Sequence, residues 1–203
     1  MSVHLRLAGQ SFDAQRTALA GFIAEEPVLM EVLHGLAELE LPQGLLVAGA
    51  LYNLAWNRLT GRAPLYGIND IDVFYFDDRD LSYEAEDIVI QRFARRFADL
   101  PLPVQIRNQA RVHLWFPQKF GTAFAPLTSS AEMLGRYASK THAVAARLEA
   151  DDSLTLLAPF GLDDIFSFRI TPNPVLANKP AHDAKAERAK AVWPEVTVVP
   201  WEE

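Results

Sequence analysis

The spacing of hydrophobic positions changes several times along the chain, and each change marks an element. Between Ser11 and Glu40 the period is helical. Ser11 is placed to cap a first helix carrying Phe12, Leu19, Phe22 and Ile23. Pro27 suits the first turn of a second, whose apolar residues are Leu29, Met30, Leu33, Leu36, Ala37 and Leu39. These helices are expected to cover a sheet, with His34 on their solvent face. Leu41-Pro42-Gln43-Gly44 turns the chain into the apolar run Leu45-Leu46-Val47-Ala48, which suits a strand buried on both faces. Gly49-Ala50 follows, then a helix with Leu51, Leu54, Ala55 and Leu59 on one face, which Gly61 is suited to end. From Asp70 the period falls to two. Asp70, Asp72, Phe74 and Phe76 point one way and Ile71, Val73 and Tyr75 the other.

Ser82 can cap a helix running to about Ala98, with Ala85, Val89, Phe93 and Phe97 inside. Glu84, Glu86 and Asp87 near its start and Arg92, Arg95 and Arg96 near its end match the helix dipole. Asp77-Asp78-Arg79-Asp80 before it reads as a solvated turn. A third strand, Val104 to Arg107, carries Gln105 and Arg107 on one face. Asn108 to Phe116 fits either a helix or a continued strand. Pro117 to Ser130 is the longest loop, a length that often marks a substrate lid. Ser129-Ser130-Ala131-Glu132 has the form of a capping box, ahead of a helix that would bury Met133, Leu134, Tyr137, Ala138 and Thr141. A hairpin follows, with Val144, Ala146 and Leu148 facing Leu154 and Leu156 across Asp151-Asp152. Asp163 and Asp164 are caps of a short helix before they are metal ligands. Prolines 172, 174 and 180 break the pattern, and Ala181 to Val192 reads as a solvent-facing helix of alternating charge. Val196 to Trp201 is strand-like. The expected fold is α+β: a mixed β-sheet flanked by helices, with a C-terminal hairpin and helix. It is expected as a single domain over residues 1–203, with a core of about 44–174, N-terminal helices at 11–40 and a tail at 175–203.

Composition narrows the function classes. Half of the 203 residues are hydrophobic, which is ample for a core. The formal net charge of −7 argues against a large electrostatic grip on nucleic acid, so nucleic acid is the least favoured partner. Cysteine is absent, which removes disulfides and thiolate chemistry. Met1 to Arg6 lacks the basic and apolar regions of a signal peptide, and no apolar run reaches the length of a membrane span. The expectation is a cytoplasmic protein without a membrane partner.

The candidate chemistry lies between Leu45 and Asp78. On a strand the Cα atoms of Asp70 and Asp72 would stand about 6.6 Å apart, so both carboxylates can reach one hard cation at about 2.1 Å. Taken alone, Asp-x-Asp is more often a hydrated strand end than a metal site. The upstream stretch shifts that balance. A strand, then glycine, then a helix start is a layout for holding phosphate: glycine lets the backbone approach, and free N–H groups attract an anion. Farther on, Arg111 suits a triphosphate and His113 a base or phosphate, or both belong to a buried hydrogen-bond network.

Val47-Ala48-Gly49-Ala50-Leu51-Tyr52-Asn53 followed by Asn69-Asp70-Ile71-Asp72-Val73 resembles the signature of the polymerase-beta-type nucleotidyltransferase superfamily. Asn108 to Trp115, Ala158 to Phe166 and Thr171-Pro172-Asn173-Pro174 narrow the resemblance to a bacterial nucleotidyltransferase-like family. It covers roughly Gly44 to Pro174. The resemblance implies a metal-dependent transfer of NMP from a nucleoside triphosphate to the hydroxyl of an unknown acceptor, which can be a small molecule, a protein or an RNA end. It makes Asp70 and Asp72 the catalytic residues and the ligands of Mg²⁺ or Mn²⁺. Gly49, Ala50, Asn53, Asn69 and Asn108, with Arg111 and His113, become the candidate nucleotide and phosphate contacts. The sequence departs from the pattern where a third carboxylate is expected, because that position falls on Gln105. Tyr52 stands near where relatives often carry arginine. Asp77, Asp99 and Asp163 are candidates to substitute for the missing carboxylate in space. The alternative is a catalytically impaired nucleotide-binding pseudoenzyme of the same fold, or a scaffold with a vestigial cleft.

Overall fold

The computed structural model describes residues 2–202, leaving Met1 and Glu203 outside it. Helices α1 (Phe12–Ala24) and α2 (Pro27–Glu38) form where the apolar spacing is helical. The Ser11 hydroxyl accepts from the Ala14 N–H, and Pro27 sits in the first turn of α2. The next elements are β1 (Leu45–Val47), α3 (Gly49–Thr60) and β2 (Ile71–Tyr75). Gly61 closes α3 in the left-handed region at φ 72°, as a C-terminal glycine should. Helix α4 (Tyr83–Arg96), capped by Ser82, crosses from β2 to β3 (Val104–Asn108). Four residue pairs join β4 (Ala145–Leu148) to β5 (Leu154–Leu157), from Ala145 opposite Leu157 to Leu148 opposite Leu154 at the turn.

These strands form a five-stranded mixed sheet in the order β3-β2-β1-β4-β5, with β2 and β3 parallel and the other neighbours antiparallel. All three residues of β1 are buried, as its unbroken apolar run requires. In β2 the alternation sorts side chains by face: Ile71, Val73 and Tyr75 are buried, whereas Asp72 and Phe74 are half-buried. The main hydrophobic cluster joins these residues to Leu19, Ile23, Leu33, Leu51 and Trp56 from the first three helices. Among the described residues, no helix is long and apolar enough to cross a membrane.

Several segments differ from the sequence-based expectation. β3 ends at Asn108, one 3-10 turn follows, and α5 (Val112–Phe120) runs through Pro117. The expected lid therefore begins inside a helix, and its Phe124 and Leu127 are buried in a second cluster with Phe76 and Phe116. A loop pinned in this way is a packing element. The helix expected after Ser130 is two 3-10 turns, Ala131–Arg136 and Lys140–His142. Glu132 does not complete the box with Ser129; its carboxylate accepts from the Thr128 N–H and hydroxyl instead.

The C-terminal region also differs. After α6 (Asp163–Phe166) and β6 (Arg169–Ile170), α7 (Lys179–Val192) leads to β7 (Thr197–Val198), which pairs parallel with β6. α7 is not a solvated helix. His182, Ala186 and Ala189 are buried, as is Trp193 beyond its end. The His182 Nδ1 and the Ser139 hydroxyl are hydrogen-bonded at 2.8 Å. The Trp193 indole N–H donates to Asn57 Oδ1 at 2.8 Å, and the Asn57 amide donates to the carbonyls of Pro64 and Tyr66. Gly67 lies under this junction at φ 69°; a Cβ there would come within 2.5 Å of Val192. These contacts dock α7 against α3 and the turn at Gly67, where it shares a cleft with Asp70.

Candidate active site

The site is built on the turn from β1 into α3. Ala48 has φ 54° and ψ −114°, a backbone conformation that normally selects glycine. Its N–H donates to the Val144 carbonyl at 2.8 Å, which fixes the turn to the neighbouring strand β4. Gly49 has an ordinary φ, and a Cβ added to it would meet nothing closer than the Asn53 amide at 3.9 Å. The protein therefore does not need glycine at 49 for its own packing. The space over Gly49 is space left in the cleft.

That cleft, of about 310 Å³, is lined by Gly49, Tyr52, Asn53, Asn69, Asp70 and Asp72 on one side. Lys185, Arg188, Val192 and Trp193 of α7 and its end form the opposing wall. Antiparallel pairing sets Asp72 beside Val47 at the end of β1, and parallel pairing sets it beside Gln105. Asp70, just ahead of β2, accepts a hydrogen bond from Gln105 Nε2 at 3.0 Å. Among the described residues, Asp70 and Asp72 form no ion pair, and neither do Lys185 and Arg188. The cleft thus holds two carboxylates and two cations that do not cancel one another by contact.

Electrostatics record this arrangement. Burial raises the pKa of Asp72, the Asp70 charge adds to the rise, and Lys185 and Arg107 oppose it. Burial lowers that of Lys185, against the pull of Asp72, and the Arg188 charge lowers it further. Burial also lifts the Tyr52 phenol far above its ordinary value, so Tyr52 is neutral in the cleft wall. Behind it His142 stacks on Tyr52 at 4.9 Å, and its burial among Lys185, His182 and Arg188 holds it uncharged. Asn53 faces the cleft with its Oδ1 lacking any protein partner.

Of the residues singled out from sequence, Gly49, Asn53, Asn69, Asp70 and Asp72 meet in this cleft. Ala50 is buried beneath it. Asn108, Arg111 and His113 do not line it. Arg111 is committed elsewhere: it forms a buried ion pair with Glu86 and donates to the Leu81 carbonyl at 3.0 Å. Asn108 accepts from the N–H groups of Asp77 and Ala110 and donates to the Asp77 carbonyl, which ties the far ends of β2 and β3 together. His113 sits on α5. Of the three possible substitutes for a third carboxylate, Asp77 is paired with Arg79, and Asp163 takes hydrogen bonds from Gly9 and Gln15. None of Asp77, Asp99 and Asp163 lines the cleft. No group of three His, Cys, Asp or Glu residues suited to a metal occurs among the described residues.

Lys185 and Arg188 are the cleft residues missed from sequence. A signal was available: His182, Ala186, Ala189 and Trp193 recur at i, i+4, i+7 and i+11, the stripe of a docked helix. Lys185, Arg188 and Val192 line the adjacent face.

Comparison with known proteins agrees with the layout. A family described as nucleotidyltransferase matches residues 34–198. A solved structure reported as a CCA-adding enzyme head domain is 25% identical with a TM-score of 0.75, over 91% of this chain and 96% of that one. The Thermotoga maritima CCA-adding enzyme solved with tRNA shares the fold, with a TM-score of 0.54 at 17% identity. That match covers 90% of this chain but 42% of the larger protein. No functionally curated protein matches the chain.

Proposed function

The chain belongs to the nucleotidyltransferase family whose match spans residues 34–198, and from that premise we propose that it transfers a nucleoside monophosphate from a nucleoside triphosphate to an acceptor hydroxyl in the cleft between β2 and α7. The observation that carries this reading is the set of charges left uncompensated there: Asp70 and Asp72 on one wall, Lys185 and Arg188 on the other.

The donor set fits one hard divalent cation, Mg²⁺ or Mn²⁺, held by Asp70 and Asp72 with phosphate oxygens and water completing its shell. Such an ion, when bound, would polarise the phosphate under attack and offset charge on the leaving pyrophosphate. The remaining work falls to the chain. The start of α3 presents N–H groups to a phosphate in the space above Gly49. Lys185 and Arg188 hold the other phosphate oxygens, Lys185 as a compact charge and Arg188 as a two-pronged donor. Arg188 lies near Tyr52, so a guanidinium from α7 serves the place where the resemblance led us to expect one on α3. Ile68, Val192 and Trp193 offer an apolar wall for the base, and Asn53 lines the cleft beside the phosphate position.

Nucleic acid returns as an acceptor to test. The net charge of −7 is a property of the whole chain, whereas a nucleic-acid end meets the local surface, where Arg107, Lys185 and Arg188 lie. A second reading, a nucleotide-binding protein without turnover, is favoured by Gln105, which offers Asp70 an N–H where the resemblance expects a third carboxylate.

Thermal unfolding against a panel of nucleoside triphosphates, each with Mg²⁺ or Mn²⁺, tests the binding that both readings share. A ligand at 100 times its Kd adds about 2.7 kcal/mol. Stabilisation is expected only with both nucleotide and cation, and Asp70→Asn with Asp72→Asn should abolish it. No stabilisation by any nucleotide would overturn the proposal. Pyrophosphate release then separates the two readings.

A further inference from the structure

We infer that this cleft is built for one bound divalent cation, and that the Lys185 ammonium supplies the fixed positive charge for which two-cation enzymes use a second ion. The inference rests on the proposed nucleotide site and specifies its charge inventory.

The first observation is Gln105. Its place is set by the β2/β3 register, which puts it across from Asp72, and its Nε2 donates to Asp70 Oδ2 at 3.0 Å. Reversing the amide would put two oxygens against each other, so the contact itself fixes the amide orientation. A second cation on this side would find a neutral amide and an N–H pointed at the carboxylate oxygen it needs. Hard divalent ions draw their affinity from anionic oxygens. No other carboxylate or histidine completes a set of three among the described residues. The residues therefore suit one ion and do not suit two.

The second observation is Lys185. It lines the same cleft as the carboxylate pair, is half-buried and lies in no ion pair among the described residues. Its backbone is held by a docked face: His182, Ala186 and Ala189 are buried, and Trp193 is bonded to Asn57. The backbone that carries the charge is thus held before any ligand arrives, and the ammonium lies over the Tyr137 ring, 5.8 Å from its centroid, so little has to move to bring it against developing charge. Arg188 lies one turn on. One divalent ion with Lys185 and Arg188 brings four positive charges to the triphosphate, the same number as the two ions of a two-cation site.

The test counts ions. Mn²⁺ is titrated into protein saturated with a non-hydrolysable nucleoside triphosphate analogue, and bound Mn²⁺ per chain is read by electron paramagnetic resonance. The wild type is expected to hold one. Gln105→Glu, an exposed change that leaves the core untouched, should hold two. Lys185→Met should still hold one ion but bind the nucleotide about tenfold more weakly, or about 1.4 kcal/mol. Lys185→Arg should recover part of that loss. In the double variant Gln105→Glu with Lys185→Met the second ion should replace the missing ammonium and restore nucleotide affinity. Two ions in the wild type would overturn the inference while leaving the nucleotide site intact. Unchanged affinity in Lys185→Met, with its fold verified by circular dichroism, would also overturn it. No nucleotide binding in any variant would overturn the proposed function instead, and the inference with it.

Discussion

At the C-terminal end of β2, Asp77 is gripped by Arg79, Glu86 by Arg111, and Asn108 joins both strands through Asp77 and Ala110. At the N-terminal end, Asp70 and Asp72 face Lys185 and Arg188 across a cleft with no ion pair between them. Both ends are rich in charge and amide, and the sequence is denser in such groups at the first. Density is therefore a poor guide to function. What separates the ends is whether the protein supplies the partners. Uncompensated charge in a half-buried place costs stability, and the fold carries that cost at one end only.

The largest expected effect breaks the satisfied end. Arg111→Met would strand Glu86, whose side chain is 6% exposed, and should cost about 3–5 kcal/mol in chemical denaturation. The fraction that remains folded should bind nucleotide with unchanged affinity. A fall in its affinity would mean that the two ends are not separate. Next comes Gly49→Ala at the open end. The new methyl enters cleft space and should weaken nucleotide binding about tenfold, or about 1.4 kcal/mol. Stability should stay level or rise, since alanine favours a helix over glycine by up to about 1 kcal/mol. A folded Gly49→Ala protein with full affinity would remove the phosphate from that position.

Ala48→Gly is a smaller probe of the same turn. The backbone strain of about 1–3 kcal/mol disappears, and glycine's freedom in the unfolded chain returns roughly 0.4–1 kcal/mol of that. A net gain of about 1 kcal/mol is expected by thermal unfolding. Loss of stability would show that the Ala48 methyl packs too well to give up.

The smallest effect is a difference of sign with pH. Folding raises the pKa of Asp72, through burial and then Asp70, so its ionisation costs stability at neutral pH and the cost is regained as pH falls through the folded value. Folding lowers that of Asp77, first through the hydrogen bond from Arg79, so its contribution is present above the unfolded value and is lost as pH falls. Unfolding free energies from pH 7 downward, for wild type against Asp72→Asn and against Asp77→Asn, should therefore diverge in opposite directions. Divergence in the same direction would contradict the contrast.

Much of the frame was legible because local rules set it. The run Leu45 to Val47 is a buried strand, Gly61 ends α3, Ser82 caps α4, and the alternation from Asp70 places both aspartates at one strand end beside Gly49. The misreadings arise where a partner distant in sequence decides. Glu86 looked like a dipole charge in the first turn of α4, but Arg111, 25 residues on, takes it into the interior. Ala181 to Val192 looked solvated because its charges alternate, yet Trp193 docks through Asn57, 136 residues away, and turns Lys185 toward the carboxylates. Gln105 was the exception, since parallel pairing carries a strand position to the same face whatever the residue type.

Paramagnetic broadening of amide NMR signals by a Mn²⁺-loaded nucleoside triphosphate analogue tests the central claim most directly, because it maps where the ion comes to rest. The account predicts that the amides of Gly49, Asn53, Asp70, Asp72 and Lys185 broaden first, while those of Asp77, Asn108 and Arg111 stay sharp. Broadening centred on Asp77 and Asn108, or none that Asp70→Asn with Asp72→Asn removes, would contradict it.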